Sequence, residues 1–182
     1  KWFIMNSYII LLRGINVSGK NIIKMIELKE LLENNHFKDV KTYIQSGNII
    51  LKTNELTSIE TQTKIHSLIK AKFNLNVPVL VLKKENLEST YLNNPYLKEN
   101  NRNDSKFLIT FIERPLNESD NNILLKVNSK NDEFKIGEKC IYLYCPDGYG
   151  KTKFTNNLFE SKLKTTASTR NLKTLNKLIE LS

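Results

Sequence analysis

The sequence predicts an α+β protein with two ferredoxin-like-related halves, each an antiparallel sheet with helices packed on one face. Residues 5–82 show the order strand, helix, strand, strand, helix, strand, which defines a ferredoxin-like unit. Residues 106–182 repeat most of that order and end in a C-terminal helical extension. Between them, residues 83–105 combine Asn, Pro and charged residues, which is typical of a connector.

In the first half, short apolar runs bounded by glycine or polar residues predict strands, and apolar residues at helical spacing predict helices. The second helix starts at a capping box, since Thr57 is followed three residues later by Glu60. The residues at 45–48, Gln-Ser-Gly-Asn, predict a turn between two strands. The predicted strands are 8–12, 40–44, 49–52 and 77–82, and the predicted helices are 24–35 and the segment that begins at Thr57.

The second half follows the same pattern up to its last element. Thr152 is expected to be the N-cap of a helix. In place of a final strand, the chain is expected to end in a helix over 170–181, because Leu172, Leu175 and Leu178 fall on one helical face. The other predicted elements are a short helix over 84–92, strands over 106–113, 134–136 and 140–145, and helices over 117–127 and 152–163.

The composition favours a cytoplasmic protein with no metal, cofactor or membrane span. Cys140 and Cys145 would lie on opposite faces of one strand and cannot pair, which suits a reducing compartment. Neither histidine lies near them in sequence, so no zinc-ligand pattern forms. Apolar runs are far shorter than the roughly 20 residues of a membrane helix, and the opening residues do not fit a secretory signal. Met5 is the expected natural start, with residues 1–4 as upstream sequence.

The positive charge is concentrated at the two ends of the chain. The formal net charge is +9. Residues 1–24 hold four basic residues and no acidic ones, and residues 150–182 hold seven basic and two acidic residues, so the middle is neutral. This distribution suggests an anionic partner, either a nucleic acid or a phosphorylated metabolite. The alternative is a bias of composition, in which surplus lysines only keep the surface solvated.

The loop Gly14–Asn21 follows a predicted strand and approaches the phosphate-binding pattern of two glycines and a lysine. It departs from that pattern at Asn21, where a Ser or Thr would bind Mg²⁺. A nucleoside-triphosphatase loop is therefore not expected. A polar loop that binds some other anion remains a reasonable hypothesis.

A second glycine-containing loop, 146–153, separates a strand from a helix. Its glycines supply turn geometry without any ligand. The feature that a structural role leaves unexplained is Lys151 and Lys153 near a helix N-terminus, where the helix dipole disfavours cations unless an anion neutralises them. This loop is the second candidate for anion binding.

The predicted topology places some of these residues together. The first two strands of a ferredoxin-like unit run parallel, so the loops 13–21 and 45–48 should be neighbours at one end of the sheet. The amide side chains there contribute donors for recognition, or, in the alternative, Gln45 and Asn48 only satisfy each other's loop backbone, as asparagine in turns often does. The candidate anion-binding residues are Arg13, Asn16, Lys20, Gln45 and Asn48 in the first half, and Lys151, Lys153, Arg170 and Asn171 in the second.

Aromatic residues on predicted strands allow two interpretations. Phe107 and Phe111 share one strand face, and Tyr142 and Tyr144 share another. Such rings either pack the sheet of one half against the other half or stack RNA bases. The glycine–aromatic signature of RNA-binding sheets is absent, which favours packing. No catalytic triad or paired-carboxylate pattern is found, and so no catalytic residue is predicted.

Four motifs carry a resemblance to a known family. They are Arg-Gly-Ile-Asn-Val-Ser-Gly-Lys at 13–20, Tyr-Ile-Gln-Ser-Gly-Asn at 43–48, Gly-Lys-Thr-Lys-Phe-Thr-Asn-Asn at 150–157 and Thr-Arg-Asn-Leu-Lys-Thr at 169–174. Over residues 5–181 the chain resembles the bacterial domain-of-unknown-function family 1697. It departs from the family at Ser18, where glycine is usual, and at Leu172, where tryptophan is usual. The resemblance implies the two-part α+β fold but no reaction, cofactor or catalytic residue.

Three functions are consistent with these observations. The leading hypothesis is a cytoplasmic protein that binds an anionic ligand through its basic glycine-containing loops. The second is an enzyme that acts on a nucleotide or phosphorylated substrate, with lysines stabilising developing charge. The third is a protein-interaction module that uses a sheet face.

Overall fold

The computed structural model describes residues 5–54, 56–99 and 102–182, so residues 1–4, interpreted above as upstream sequence, lie outside the described part. The chain divides into two compact units. One comprises the chain up to Glu88 together with Lys177–Ser182, and the other comprises Ser89–Asn176. The boundaries 5–82, 83–105 and 106–182 stay a prediction. Among the described residues, no helix has the length and apolar character needed to cross a bilayer.

The first unit has the predicted ferredoxin-like topology. Its four strands form one sheet in the order β2-β3-β1-β4, and each neighbouring pair is antiparallel. The Thr57–Glu60 capping box is present with both of its hydrogen bonds. The elements are β1 (Asn6–Leu12), α1 (Met25–Asn34), β2 (Lys38–Tyr43), β3 (Asn48–Thr53), α2 (Ser58–Phe73), β4 (Val79–Lys83) and α3 (Lys84–Leu92).

The predicted C-terminal end of the second strand is wrong by one residue. Ile44 was expected to be the last residue of the second strand, but β2 ends at Tyr43. Ile44 instead adopts a left-handed backbone with φ of 51° and its side chain is exposed. The β-branched side chain is typical of a strand, and only the pairing with β3 shows that the turn begins one residue earlier.

The core of the first unit lies between the sheet and its helices. Tyr8, Ile10 and Leu12 alternate along β1 and pack against Leu28 of α1 and Ile65 of α2. This alternation follows from the two-residue period of a strand. Burial of these side chains fixes the end of β1, from which the first candidate loop emerges.

The second unit has the same sheet order, β6-β7-β5-β8, again with antiparallel neighbours. The prediction that it lacks a final strand is wrong. Ala167–Asn171 pair with β5 as a fourth strand, so Arg170 and Asn171 lie in a strand and not in the last helix. The elements are β5 (Phe107–Ile112), α4 (Glu118–Leu125), β6 (Glu133–Ile136), β7 (Cys140–Tyr144), α5 (Asn156–Leu163), β8 (Ala167–Asn171) and α6 (Leu172–Leu181).

The two sets of elements therefore repeat completely. Each runs strand, helix, strand, strand, helix, strand, helix. The trailing helix begins directly after the last strand in both, with α3 starting at Lys84 after β4 and α6 starting at Leu172 after β8. The C-terminal helix is thus the counterpart of α3, not an alteration of the second half.

A second correction concerns the start of α5. Thr152 is not the N-cap, since the helix begins at Asn156 and the side chain of Thr155 accepts a hydrogen bond from Leu158 N. Thr152 instead accepts a hydrogen bond from Phe154 N at 2.9 Å. Both threonines are suitable caps by type. Burial of Phe154 against Phe159 decides between them, because it holds residues 152–154 in an extended approach to the helix.

The two faces of the second sheet are covered differently. Leu108, Ile141 and Leu143 belong to the core on the helix side. On the other face, Phe107 packs between Tyr96 and Tyr144 at ring distances of 5.7 and 5.5 Å. Phe107 is almost fully buried, so it is not available to stack RNA bases. Cys140 and Cys145 are both buried free cysteines.

Candidate anion-binding loops

The two candidate loops of the first unit are neighbours, as predicted. They meet where β1 and β2 end and β4 begins. Leu12 N donates to Gly47 O at 2.8 Å, and Arg13 N donates to Pro78 O at 3.0 Å. Because β1 and β2 are both antiparallel to β3, their ends lie at the same end of the sheet.

Asn16 joins three segments of this edge. Its side-chain Nδ2 donates to Ile23 O at 2.9 Å and to Gln45 O at 2.8 Å, while its Oδ1 accepts from Ile23 N at 2.9 Å. Its backbone lies in the left-handed region, with φ of 53°, which asparagine tolerates. The side chain of Asn16 is therefore used by the loop itself.

Asn48 also has a structural role. It is fully buried, and its Nδ2 donates to Tyr43 O at 3.1 Å and to Ser46 Oγ at 2.9 Å. These bonds close the turn between β2 and β3. The interpretation that an amide side chain satisfies the loop backbone is supported for Asn48, and Asn16, for which it was not made, has the same role.

The remaining candidates of the first unit differ in their exposure. Lys20 and Gln45 are exposed and Arg13 is half-buried. Lys20 lies in a small hairpin, in which its N–H donates to Val17 O at 2.9 Å. The helix that follows starts only at Met25. A phosphate-binding loop leads directly into its helix, so the structure agrees with the exclusion of a nucleoside-triphosphatase loop.

The second unit brings its candidates to one end of its own sheet. The ends of β7 and β8 flank the start of β5, since Phe107 pairs with Tyr144 and Leu108 pairs with Asn171. The 146–155 loop leaves from this end. Within it, Gly148 has φ of 93°, and Lys151 ends a short 3₁₀ helix.

Lys151 and Lys153 are exposed, but the other two candidates of this unit have structural partners. Arg170 is half-buried, and its guanidinium donates to Ser168 Oγ and Thr169 O, both at 2.9 Å. Asn171 Oδ1 accepts from Thr174 N at 2.8 Å, which caps the first turn of α6. Asn171 therefore acts as a helix cap.

Two further basic residues at this end of the second sheet were not among the predicted anion-binding residues. The Nζ atom of Lys106 lies 3.9 Å from the position that a Cβ on Gly148 would occupy. Lys173 is exposed in the first turn of α6. Their positions follow from strand pairing between segments far apart in sequence. The only available signal was that both residues flank predicted strand or helix ends.

The clefts of the first unit lie away from its candidate loops. Among the described residues, no group of three or more His, Cys, Asp or Glu residues is arranged to hold a metal ion. Clefts of about 470 and 550 Å³ lie at the opposite end of the first sheet, and the predicted residues do not line them. The first cleft is lined by Tyr8, Thr57 and Lys83 among others.

Comparisons with known proteins agree with the fold. The model of a family described as "Protein of unknown function (DUF1697)" matches residues 5–142. The motifs at 150–157 and 169–174 lie beyond that match. A solved structure, titled as that of the conserved bacterial protein SP0830 from Streptococcus pneumoniae, is 25% identical with a TM-score of 0.77, and the similarity covers 98% of this chain and 99% of that one. No protein with a curated description matches the sequence.

Proposed function

This chain belongs to the DUF1697 family of proteins of unknown function, and from that premise we propose that it binds the phosphate groups of a nucleic acid. Exposed lysines of the two glycine-containing loops, 14–21 and 146–153, make the contacts. A cytoplasmic setting fits this proposal, because both cysteines are free thiols.

The proposal rests on the solvent exposure and the ion pairing of Lys20, Lys151 and Lys153. All three are exposed, and among the described residues no carboxylate forms an ion pair with them. Six other lysines of the described residues do have such partners, for example Lys52 with Asp39 at 2.8 Å. Ammonium groups without a carboxylate partner can each contact a phosphate group. Such contacts release the counterions that the phosphates of a polyanion hold.

The second unit contributes the denser positive surface. Lys106, Lys151 and Lys153 approach the same end of its sheet as Arg170 and Lys173. Asp147 is the acidic residue of the loop, and it accepts a hydrogen bond from Asn131 at 3.2 Å. The loop 146–155 itself therefore carries two lysines and one acidic residue.

A polymer suits these side chains better than a small metabolite. Small ligands are held in concave pockets that bury most of their surface. Lys20, Lys151 and Lys153 are exposed, and separate phosphates along a strand can each be contacted by one lysine. Lysine contacts to phosphates carry no sequence information, so binding through the backbone is expected to dominate over base recognition.

The experiment is fluorescence anisotropy with a labelled single-stranded RNA and a labelled duplex DNA, each at low and physiological salt. Micromolar binding that weakens steeply with salt is expected. The variant Lys151→Ala with Lys153→Ala should weaken binding and lower the slope of log K against log salt by about two. Lys20→Ala should lower it by about one.

The matched control replaces two exposed lysines of the second unit, Lys139→Ala with Lys162→Ala, which removes the same charge at the end of the second sheet opposite to the 146–155 loop. The slope should then change little. The proposal is contradicted by an absence of binding at low salt, or by equal effects of the loop and control pairs. Competition by free nucleotides at micromolar concentration would instead indicate a small-ligand site.

A further inference from the structure

Strand β4 forms one edge of the first sheet, and in the described part of the chain it pairs with β1 alone. An edge strand presents a row of backbone N–H and C=O groups, which proteins commonly protect with a bulge, charges, short length or covering groups. β4 has the sequence Val-Leu-Val-Leu-Lys, and its pairing with β1 has no register shift. β4 itself therefore carries neither a bulge nor an internal charge.

The β1–β4 ladder shows which backbone groups of β4 point outward. Arg13 N donates to Pro78 O at 3.0 Å, and these two residues lie opposite each other, one step beyond the last pair of the register. In an antiparallel ladder, hydrogen-bonded pairs alternate with pairs that are not bonded. Counted from Pro78, every second residue therefore bonds to β1, and the residues between them point their N–H and C=O groups away from the sheet. These outward residues are Val79, Val81 and Lys83.

The outward groups of β4 are open to the solvent. Among the described residues, no hydrogen bond reaches the N–H or C=O of Val79 or Val81 from this side. Because buried backbone groups are almost always paired, these unpaired groups lie in water. The side chains agree, since Val81 is half-buried and Lys83 is exposed. The outer side of β4 is therefore accessible to a further strand.

The equivalent strand of the second unit, β8, has its outward groups covered. The same alternation makes Ala167 and Thr169 outward residues there. Ala167 N donates to Glu160 Oε1 at 3.3 Å, and Thr169 O accepts from the Arg170 guanidinium at 2.9 Å. Side chains of the same unit thus occupy the edge of β8, whereas the outward groups of β4 have no such cover among the described residues.

The two remaining edge strands are protected in other ways. β2 has a β-bulge between Lys38 and Lys41, where Asp39 has a left-handed backbone with φ of 51°. β6 is four residues long and contains two charged side chains. Bulges, charges and short length all oppose the addition of a strand. Of the four edge strands in the described sheets, β4 is the one suited to strand addition.

The sequence of β4 is complementary to itself. In an antiparallel pair about a two-fold axis at Val81, this residue lies opposite its own copy, and the two exchange both backbone hydrogen bonds. Val79 then lies opposite the aliphatic stem of Lys83, and Leu80 lies opposite Leu82. A second copy of the chain therefore supplies a strand of the right length and alternation, with no like charges opposite each other.

We propose that two copies of this chain associate through β4, antiparallel about Val81, so that the sheets of their first units continue as one. This goes beyond the proposed nucleic-acid binding, which uses loop lysines and needs no second copy. The contact involves five residues from each copy. Since so short a strand buries little surface, the dimer is a weak one.

The test begins with the full wild-type chain. Sedimentation equilibrium between about 10 μM and 1 mM protein should show an average mass that rises from one chain towards two. Amide hydrogen exchange locates the contact. The N–H of Val81 should exchange rapidly in dilute protein and slowly in concentrated protein, whereas the N–H of Leu80, which points to β1, should be protected in both.

Two variants test the pairing about Val81. Val81→Lys or Val81→Glu places like charges directly opposite each other in the dimer, so each variant alone should associate at least roughly tenfold more weakly. An equimolar mixture of the two should associate again, because opposite charges then face each other. The half-buried position allows a long side chain to reach the solvent. Circular dichroism checks that both variants are folded.

The matched control makes the same changes at Leu125, an exposed aliphatic residue of α4. Leu125→Lys and Leu125→Glu should each associate as the wild type does, and mixing them should have no effect.

Four outcomes overturn this proposal. They are a single chain mass at every concentration, association that the Val81 variants leave unchanged, a mixture that does not restore association, and a Val81 amide that is already protected in dilute protein. Protection of that amide by a synthetic peptide of alternating sequence, in a chain that stays monomeric, would assign β4 to a different partner. Oligonucleotide binding by dilute protein should persist in both Val81 variants, so this proposal and the proposed function fail separately.

Discussion

The side chain of Asn16 donates a hydrogen bond to the backbone carbonyl of Gln45 at 2.8 Å, although the two residues are 29 positions apart. This bond joins the β1–α1 loop to the β2–β3 turn. Both loops carry candidate ligand-binding residues, and the exposed residues Val17, Ile22 and Ile44 are sequence neighbours of the bonded residues. Asn16 therefore adds a side-chain link to the backbone bond between Leu12 N and Gly47 O at this edge.

Removing this junction should destabilise the chain. Asn16→Ala loses three hydrogen bonds, leaves Ile23 N without its acceptor and puts a Cβ-bearing residue without a local polar group at φ of 53°. We expect a loss of about 2–4 kcal/mol in the free energy of unfolding, measured by urea denaturation. Asn93→Ala removes an exposed amide that donates to Ser89 Oγ at 3.2 Å, and it should cost less than about 0.5 kcal/mol. Equal costs for the two variants would show that Asn16 is not a junction.

Gly47 should not tolerate a side chain. A Cβ there would lie 2.6 Å from Leu12 Cβ and 2.9 Å from Ile15 Cδ1, and φ is 77°. Steric overlap and the left-handed backbone together should make Gly47→Ala about 3 kcal/mol less stable in thermal or urea unfolding. Gly150 has no atom within 4 Å of its Cβ position, so Gly150→Ala should change stability by less than about 0.5 kcal/mol. A stable Gly47→Ala protein would refute this description of the turn.

The Arg114–Asp120 pair should make stability depend on pH. The guanidinium donates to both carboxylate oxygens at 2.7 and 2.8 Å. This bond, supported by Asn117 N, holds the pKa of Asp120 below its ordinary value. Since the folded pKa is the lower one, the stabilisation is complete above the unfolded pKa of about 3.9 and is lost as pH falls through the folded pKa.

Asp120→Asn tests this linkage. At pH 7 the variant should be about 2 kcal/mol less stable than the wild type, and the difference should shrink below about pH 4. The measurement is urea unfolding at a series of pH values. Lys177→Ala removes an exposed pair with Glu180 at 3.0 Å and should have little effect at any pH. A difference for Asp120→Asn that does not change with pH would contradict the assignment.

The two cysteines should be unreactive in the folded protein. Burial raises the pKa of Cys140 and raises the pKa of Cys145 to about 11. At pH 8 the thiol form of Cys145 is therefore about a thousand times more populated than the thiolate form. Only the thiolate form is the nucleophile. Reaction with Ellman's reagent should be slow in buffer and fast for both thiols in urea. Leu125→Cys places a thiol at an exposed position and should react at once. Rapid reaction of the unmodified chain would contradict the burial of both residues.

Much of the fold could be predicted because its elements carry local signals. The capping box at Thr57 and Glu60 is a short-range pattern, and both of its bonds form. The helix over 84–92 was predicted with the bounds that the structure has. The neighbouring loops 13–21 and 45–48 followed from the topology alone, because parallel strand ends share one end of a sheet.

The errors arose where local signals were absent or ambiguous. β8 has the sequence Ala-Ser-Thr-Arg-Asn, which lacks the large apolar residues of a typical strand. It is a strand because it pairs with β5, where the hydroxyl groups of Thr110 and Thr169 lie 2.7 Å apart. Thr152 and Thr155 are equally good caps by type, and burial of Phe154 in the core selects the second.

The amino-acid sequence by itself determined the alternation of strands and helices, the positive ends of the chain and the positions of the glycine-containing loops, because periodicity, charge and turn residues are local properties. Only the tertiary structure decided which loop side chains face the solvent. Asn16, Asn48 and Asn171 bond to backbone groups that other segments or turns bring to them, whereas Lys20, Lys151 and Lys153 are exposed. A hydrogen-bond partner distant in sequence has no local signature, so the division between loop-supporting and ligand-facing residues appears only once the sheets have formed.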